Sequence, residues 1–448
     1  MIGERVVRSV QTAGWPLLAG LLVGAGVAVN PVLPLAALVG LGVLAAGIRW
    51  PAFGAGLIFL AMFFDQAGVT GVKVAAFPVT AAKLSVLVGL GMWAANSLLT
   101  RAPIVRYHPV QLGLAAFITT TLLSVVNAND LAEGKFPLFG LVMMLVLISL
   151  LHASLAEVEL SRLYRFFAVV LVVGVLASLR GAGVVSEAGR ASGTLGDANE
   201  WATILLLVGF FVLGHLTNDE TRLGVVLRWA VLVLVPLGLL RSESRASLLV
   251  LTLCSPGLWL LLRRHRGQLL TMAGMGAAIA PFVLDVNRAW SRLQNLIERL
   301  QGKSGGASDS SLDERTELLH QGIQLFKDHW FLGAGAGRFE EATGFISPTG
   351  ELRPAHNTYL EVASEQGIVG LFGAACFIGT VGVSLYRAWR GAEDPARADR
   401  VLGAAMAMAA IGLMAFTLGL LTFSIAWLLL GVSMAVMVQA SAPRPSNG

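Results

Sequence analysis

Long, uninterrupted apolar runs recur along the chain, and their length decides what it can fold into. They lie near 14–30, 32–49, 52–64, 84–99, 109–126, 136–151, 165–180, 201–216, 225–240, 247–262, 269–285, 367–386, 401–418 and 421–439. A helix that crosses the hydrocarbon core of a bilayer needs about 20 apolar residues, sometimes as few as ~17. Inside the bilayer only helices and closed barrels satisfy their own backbone groups. These runs are continuously apolar and do not alternate, which excludes a barrel and leaves an all-α polytopic membrane protein. Composition agrees: 56% of the 448 residues are hydrophobic and only 13% are charged, against about 25% in soluble domains. Some runs are short for a full span and read as re-entrant or merged pieces, so 12–14 transmembrane helices are expected.

Basic residues set the orientation. With the N-terminus in the cytoplasm and sides alternating, 17 of the 32 Lys and Arg residues fall in cytoplasmic segments. Seven fall in short outer loops: Lys73, Lys83, Lys135, Arg180, Arg190, Arg241 and Arg245. The remaining eight lie in the long segment 286–366. Cytoplasmic loops carry the excess of Lys and Arg, so both termini are expected inside and the long segment outside. The start, MIGERVVRSVQTAGWPLLAG, has the basic flank of a secretory signal but no clean cleavage site, and reads as an uncleaved first span. Three parts follow: an N-terminal transmembrane bundle (1–285), a large periplasmic helical loop (286–366), and C-terminal transmembrane helices with a short cytoplasmic tail (367–448).

The excursion 286–366 contains helical patterns rather than a tether. NRAWSRLQNLIERLQGK has apolar residues at helical spacing and ends in a Gly/Ser-rich break. SLDERTELLHQGIQLFKDHW opens with Ser311 and, three residues on, Glu314, a capping-box pattern. LGAGAGRF reads as a turn, and RPAHNTYLEVASEQG as a further helix. The cysteines, Cys254 and Cys376, sit inside apolar runs and read as small hydrophobic packing residues.

The chain has no P-loop, no HExxH and no acidic DxD pair, and GAGAGRF does not fit a dinucleotide-binding fingerprint. No metal, cofactor or nucleic-acid partner is expected. What remains is a set of outward-facing arginines and one histidine. Arg190 lies in GRASGTLGDANEWA before a span, Arg241 and Arg245 in RSESRAS between two spans, Arg315 in the capped loop helix, and His356 in PAHNTYLE. Charges held at the membrane boundary are costly unless paired or solvated. The competing reading is snorkelling or structural ion pairing, with Glu187, Asp197, Glu200 and Glu243 as partners, and a capping or surface histidine. Arginine binds phosphate oxygens in pairs through a fork that stays charged. A histidine, with an ordinary pKa near ~6.5, serves as general base at neutral pH. Together they suggest group transfer from a lipid-linked pyrophosphate to an acceptor hydroxyl.

Three stretches resemble the O-antigen ligase and polymerase superfamily of bacterial inner-membrane glycosyltransferases. They are GRASGTLGDANEWATILLL, RSESRASLLVLTL, and the loop with DERTELLHQGIQLFKDHWFLGAGAGRF and HNTYLEVASEQGIVG, covering about 185–372. The resemblance implies about 12 spans and a metal-independent transfer of glycan from undecaprenyl pyrophosphate, inverting at the anomeric carbon, on the periplasmic face. For a ligase the acceptor is lipid A–core oligosaccharide. It also implies that Arg245 and Arg315 hold the pyrophosphate, that His356 is the base, and that Arg190 lines the entrance. Arg241 and Asn357 join the substrate-binding set, and Glu243 and Glu365 stay open as further acids. A compact RSESRAS turn and one dominant outer loop favour a ligase. A polymerase, a protein-O-oligosaccharyltransferase, or a non-enzymatic transporter of lipid-linked sugars remains the alternative. The 51 glycines allow close helix packing within one chain, so a monomer surrounded by membrane lipids is expected.

Overall fold

The computed structural model of the chain describes residues 32–63, 73–74, 77–78, 81–101, 103, 105–128, 131–180, 197–267, 270, 274, 310–346, 350, 352–421 and 423–442. The described elements are helices, apart from one two-stranded pairing of Lys73–Val74 with Phe77–Pro78. The helices are α1 (Val32–Arg49), α2 (Pro51–Phe63), α3 (Ala81–Thr100), α4 (Pro109–Asn127), α5 (Leu131–Leu155), α6 (Ser161–Leu179) and α7 (Ala198–Leu216). There follow α8 (Arg222–Ser242), α9 (Arg245–Leu261), α10 (Ser310–Asp328), α11 (Phe339–Thr343), α12 (Thr358–Arg390), α13 (Pro395–Met414) and α14 (Ser424–Ser441).

Among the described residues seven helices are long and apolar enough to span a bilayer: Pro109–Asn127, Pro137–Leu155, Ser161–Leu179, Ala198–Leu216, Arg222–Ser242, Thr358–Arg390 and Ser424–Ser441. Gly40–Arg49, Pro51–Phe63, Leu84–Thr100 and Arg245–Leu261 are apolar but shorter. The expected count of about 12 is thus not met by full-length spans among the described residues. The candidate run at 14–30 and the helical pattern NRAWSRLQNLIERLQGK lie outside them, as does the run at 269–285 apart from residues 270 and 274.

Helix α7 is the buried centre, packed by α6, α8, α9 and α13. Its closest crossing, with α13, runs through two glycines: a β-carbon on Gly403 would lie 2.6 Å from the Gly214 α-carbon. Small residues permit this approach, which is how membrane helices pack when apolar contact alone gives no preference over lipid. Cys254 is buried and Cys376 half-buried, both unbridged, as their apolar surroundings suggest.

The bundle has two unlike ends. At one, Arg165 pairs with Asp219 at 2.6 Å, Arg263 with Asp399 at 2.6 Å and Arg106 with Glu157 at 2.5 Å. Asn218 donates to the second oxygen of Asp399 at 2.9 Å, tying the α7–α8 connection to the start of α13. The other end carries the start of α7, the α8–α9 turn, helices α10 and α11, and the α13–α14 connection.

At that second end helix α12 is broken. It starts at Thr358, leaves helical geometry at Gly367 (φ 64°, ψ −160°) and resumes. The break frees the Ser364 and Glu365 carbonyls and the Ile368 and Val369 amides from the helical ladder. Each finds a partner in Trp330–Gly335. Ile368 N–H donates to the Trp330 carbonyl (2.8 Å) and Val369 N–H to that of Phe331 (3.3 Å). Ala334 N–H donates to the Ser364 carbonyl (3.0 Å) and Gly335 N–H to that of Glu365 (2.9 Å). Ser124 of α4 also donates to the Glu365 carbonyl, at 2.7 Å. Buried backbone groups without partners cost about 1–3 kcal/mol each, so the loop completes the broken helix.

The contact has no room for side chains at two points. Gly333 has φ 76°, and a β-carbon there would sit 2.1 Å from the Glu365 carbonyl carbon. One on Gly367 would sit 2.4 Å from the Phe331 carbonyl oxygen. Gly344 has a similar φ of 61° but open space around it. Left-handed strain alone costs about 1–3 kcal/mol. Gly333→Ala and Gly367→Ala should therefore lower the melting temperature in detergent well beyond Gly344→Ala. Equal shifts for the three variants would show that the close approach does not matter.

Candidate active site

The capped helix of the excursion forms as α10, but its start differs in detail from the capping-box reading. Ser311 lies inside the helix, which begins at Ser310. Glu314 is held by Arg353, whose Nε approaches its Oε1 at 3.1 Å. RPAHNTYLEVASEQG is not helical throughout. Pro354 disfavours helical backbone in the residue before it, and His356 takes a left-handed conformation (φ 48°), so the helix starts only at Thr358. Asn357 is its N-cap, with its side-chain oxygen accepting from Tyr359 N–H (3.0 Å) and Leu360 N–H (3.1 Å). The left-handed backbone of His356 is uncommon for a non-glycine residue, and such backbone clusters at functional sites.

Thr358 fastens this turn to the α13–α14 connection. Its N–H donates to the Ala415 carbonyl (2.8 Å), its hydroxyl donates to the Leu418 carbonyl (2.8 Å) and accepts from Leu420 N–H (2.8 Å). Glu365, one helical turn beyond Glu361, is 4% exposed, and each carboxylate oxygen accepts a backbone N–H, from Gly337 and Phe339, both at 2.9 Å. It is a clamp for the glycine turn 333–337, facing backbone rather than an open site.

These fastenings enclose a cavity of about 440 Å³. One wall is the start of α7, with Asp197, Asn199 and Glu200. Asp197 caps that helix, accepting from the N–H groups of Asn199 (2.7 Å) and Glu200 (2.9 Å). The opposite wall is Glu314 and Arg315 of α10 with Arg353, Pro354, His356 and Glu361, and Leu418, Gly419 and Leu421 close it. Among the described residues Arg315 makes no ion pair. Burial pushes the His356 pKa below its ordinary value, and the Arg315 charge pushes it further down. The Glu314 carboxylate opposes this, while Arg353 adds to it. The imidazole is thus neutral, and able to accept a proton, through the neutral range.

The structure brings together Arg315 and His356, with Asn357 as the cap beneath. Arg241 ends α8 and Arg245 begins α9, at the same end of the bundle, but neither lines the cavity. Glu243 sits between them in a left-handed turn (φ 52°). Arg190 lies outside the described residues, as does Glu187. Among the lining residues the sequence analysis did not single out are Arg353, which pairs with Glu314, and Glu361. The available signal was the Glu361/Glu365 pair, two acids at i, i+4 spacing and hence on one helix face. Among the described residues no three His, Cys, Asp or Glu side chains converge as a metal site.

Glu365→Gln tests the clamp. An amide nitrogen would face a backbone N–H, leaving a buried donor unpaired at about 1–3 kcal/mol. A lower melting temperature and faster proteolysis between 330 and 340 are expected. Unchanged values for both would show that the carboxylate does not hold the turn.

Residues 229–375, less than half of the 448-residue chain, match the family model described as O-antigen ligase. The match includes Arg241, Arg245, Arg315, Arg353, His356 and Glu361, and ends before the α13–α14 connection. No curated protein matches the chain.

Proposed function

We propose that the chain is an inner-membrane ligase that transfers O-antigen from undecaprenyl pyrophosphate to lipid A–core oligosaccharide, a reading supported by the similarity of residues 229–375 to the O-antigen ligase family. The observation that carries the reading is the pairing of Arg315 and a proton-accepting His356 in one cavity at the loop end of a multi-helix membrane bundle. The opposite end, rich in arginine, is the cytoplasmic one by the positive-inside rule. The cavity then faces the periplasm.

In this reading His356 takes the proton from an acceptor sugar hydroxyl. The freed oxygen attacks the anomeric carbon of the donor from the face opposite the pyrophosphate. The anomeric C–O bond breaks, and undecaprenyl pyrophosphate leaves with the electron pair, so the configuration inverts. Arg315 stabilises the charge growing on the leaving group, in the manner of a preorganised cation. Arg190, Arg241 and Arg245 extend the pyrophosphate site toward the membrane edge, with Asn357 holding the turn. Glu361 and Glu200 accept hydrogen bonds from sugar hydroxyls. The same donor chemistry serves a polymerase, and the two part at the acceptor.

Replacing His356 by alanine should cut transfer by about 10²–10⁴-fold while donor binding persists. Transfer at the wild-type rate would remove the base from the scheme. Activity should rise with pH through the His356 pKa, so the acid limb of kcat/KM should fall below ~6.5, the ordinary histidine value. Arg353→Gln removes a positive charge and unpairs Glu314, and both changes raise that pKa. The limb should move to higher pH, and an unmoved limb would assign it to another group.

Lysine keeps the charge of arginine but not its planar fork. Arg315→Lys and Arg245→Lys should each lose most activity, read as glycan transfer in membranes. Full activity of either variant would take that arginine out of pyrophosphate recognition.

A further inference from the structure

A second cavity of about 590 Å³ runs along the bundle between α12, α13 and α14. Its walls are apolar, and it is long. It reaches Leu421, which also lines the polar cavity, at one end. At the other it shares Leu260, Trp389 and Leu402 with a smaller cleft that contains Arg263, Arg390 and Asp399. An apolar slot thus opens into a cationic cleft at the end of the bundle opposite His356.

The charges of that cleft are unequal. Asp399 is 2% exposed and satisfied by Arg263 (2.6 Å) and Asn218 (2.9 Å). Arg390 is exposed and, among the described residues, makes no ion pair, as does Arg387 one turn before it. Trp389 stands between them, 40% exposed, a residue suited to headgroup depth. The α12–α13 connection carries two acids, Glu393 and Asp394; Asp394 is paired with Arg397 at 3.2 Å, and among the described residues no ion pair joins either acid to Arg390.

We propose that this slot binds an anionic phospholipid, its phosphate at Arg390 beside Arg263 and its acyl chains along α12 and α13. Basic clefts between membrane helices on the cytoplasmic side hold acidic headgroups in this way. The occupant is a phospholipid rather than the donor's isoprenoid tail because the uncompensated cation lies at the far end from His356. A donor anchored at His356 would leave Arg390 without a ligand.

The test uses purified full-length protein in detergent, with phosphatidylglycerol or phosphatidylcholine added and retention read by native mass spectrometry. Phosphatidylglycerol should be retained preferentially. Arg390→Gln should weaken that retention by about fivefold, the worth of one arginine near an anionic headgroup. Gly382 lines the slot, and a β-carbon there meets nothing within 4 Å. Gly382→Leu should therefore fold, fill the slot and abolish retention of the phospholipid. Equal retention of the two lipids, or retention unchanged in both variants, would overturn the proposal. So would undecaprenyl phosphate displacing phosphatidylglycerol with an affinity that Gly382→Leu lowers and Arg390→Gln leaves alone.

Discussion

The exchange of hydrogen bonds between the broken turn of α12 and Trp330–Gly335 is the constraint on which the site depends. A helix interrupted at Gly367 cannot stand alone in an apolar setting, because two carbonyls and two amides lose their ladder partners there. The loop supplies all four. That requirement holds Trp330–Gly335 against α12. Ser124 of α4 and the Glu365 carboxylate add fastenings from two further directions. The glycines at 333 and 367 follow from geometry, as the strands of backbone touch where a β-carbon would be.

From that anchor the cavity is reached in about two turns of helix. Gly367 and Glu365 hold α12, Thr358 ties its first residue to the α13–α14 connection, and Asn357 caps it. His356 is then forced into a left-handed conformation just outside the cap. Charge in the cavity is mixed, and half of it is spoken for. Glu314 is paired with Arg353, and Asp197 is engaged with the amides at the start of α7. Arg315 is left as the lining cation without an ion pair among the described residues. In the proposed reaction a pyrophosphate carries more charge than one guanidinium balances, which is why arginines from the α8–α9 turn and from the segment around Arg190 are drawn into the scheme.

The helices were legible because lipid imposes one rule on composition and another on length. Every apolar run within the described residues lies in or overlaps a helix, with ends shifted by a few residues. Charge bias and chain order also predict that Arg241, Arg245, Arg315 and His356 lie at one end of the bundle. What the sequence did not disclose were contacts that depend on backbone. Glu365 looked like a candidate acid, and its role emerges only when both oxygens are seen on amides. Asn357 looked like a ligand in a His-Asn pair, and its carbonyl oxygen is a cap. The helical reading of RPAHN failed because Pro354 and a left-handed His356 hold that stretch outside the helix, a local effect stronger than its apolar spacing.

The central claim is that the cavity makes a glycosidic bond. Purified protein in detergent, given an undecaprenyl pyrophosphate-linked glycan and lipid A–core oligosaccharide, tests it most directly by mass analysis of the acceptor. The account predicts covalently extended lipid A–core with release of undecaprenyl pyrophosphate, and about 10²–10⁴-fold slower extension with the His356→Ala protein. Intact donor and acceptor after prolonged incubation with folded, donor-binding protein would contradict it and point to a carrier of lipid-linked sugars instead.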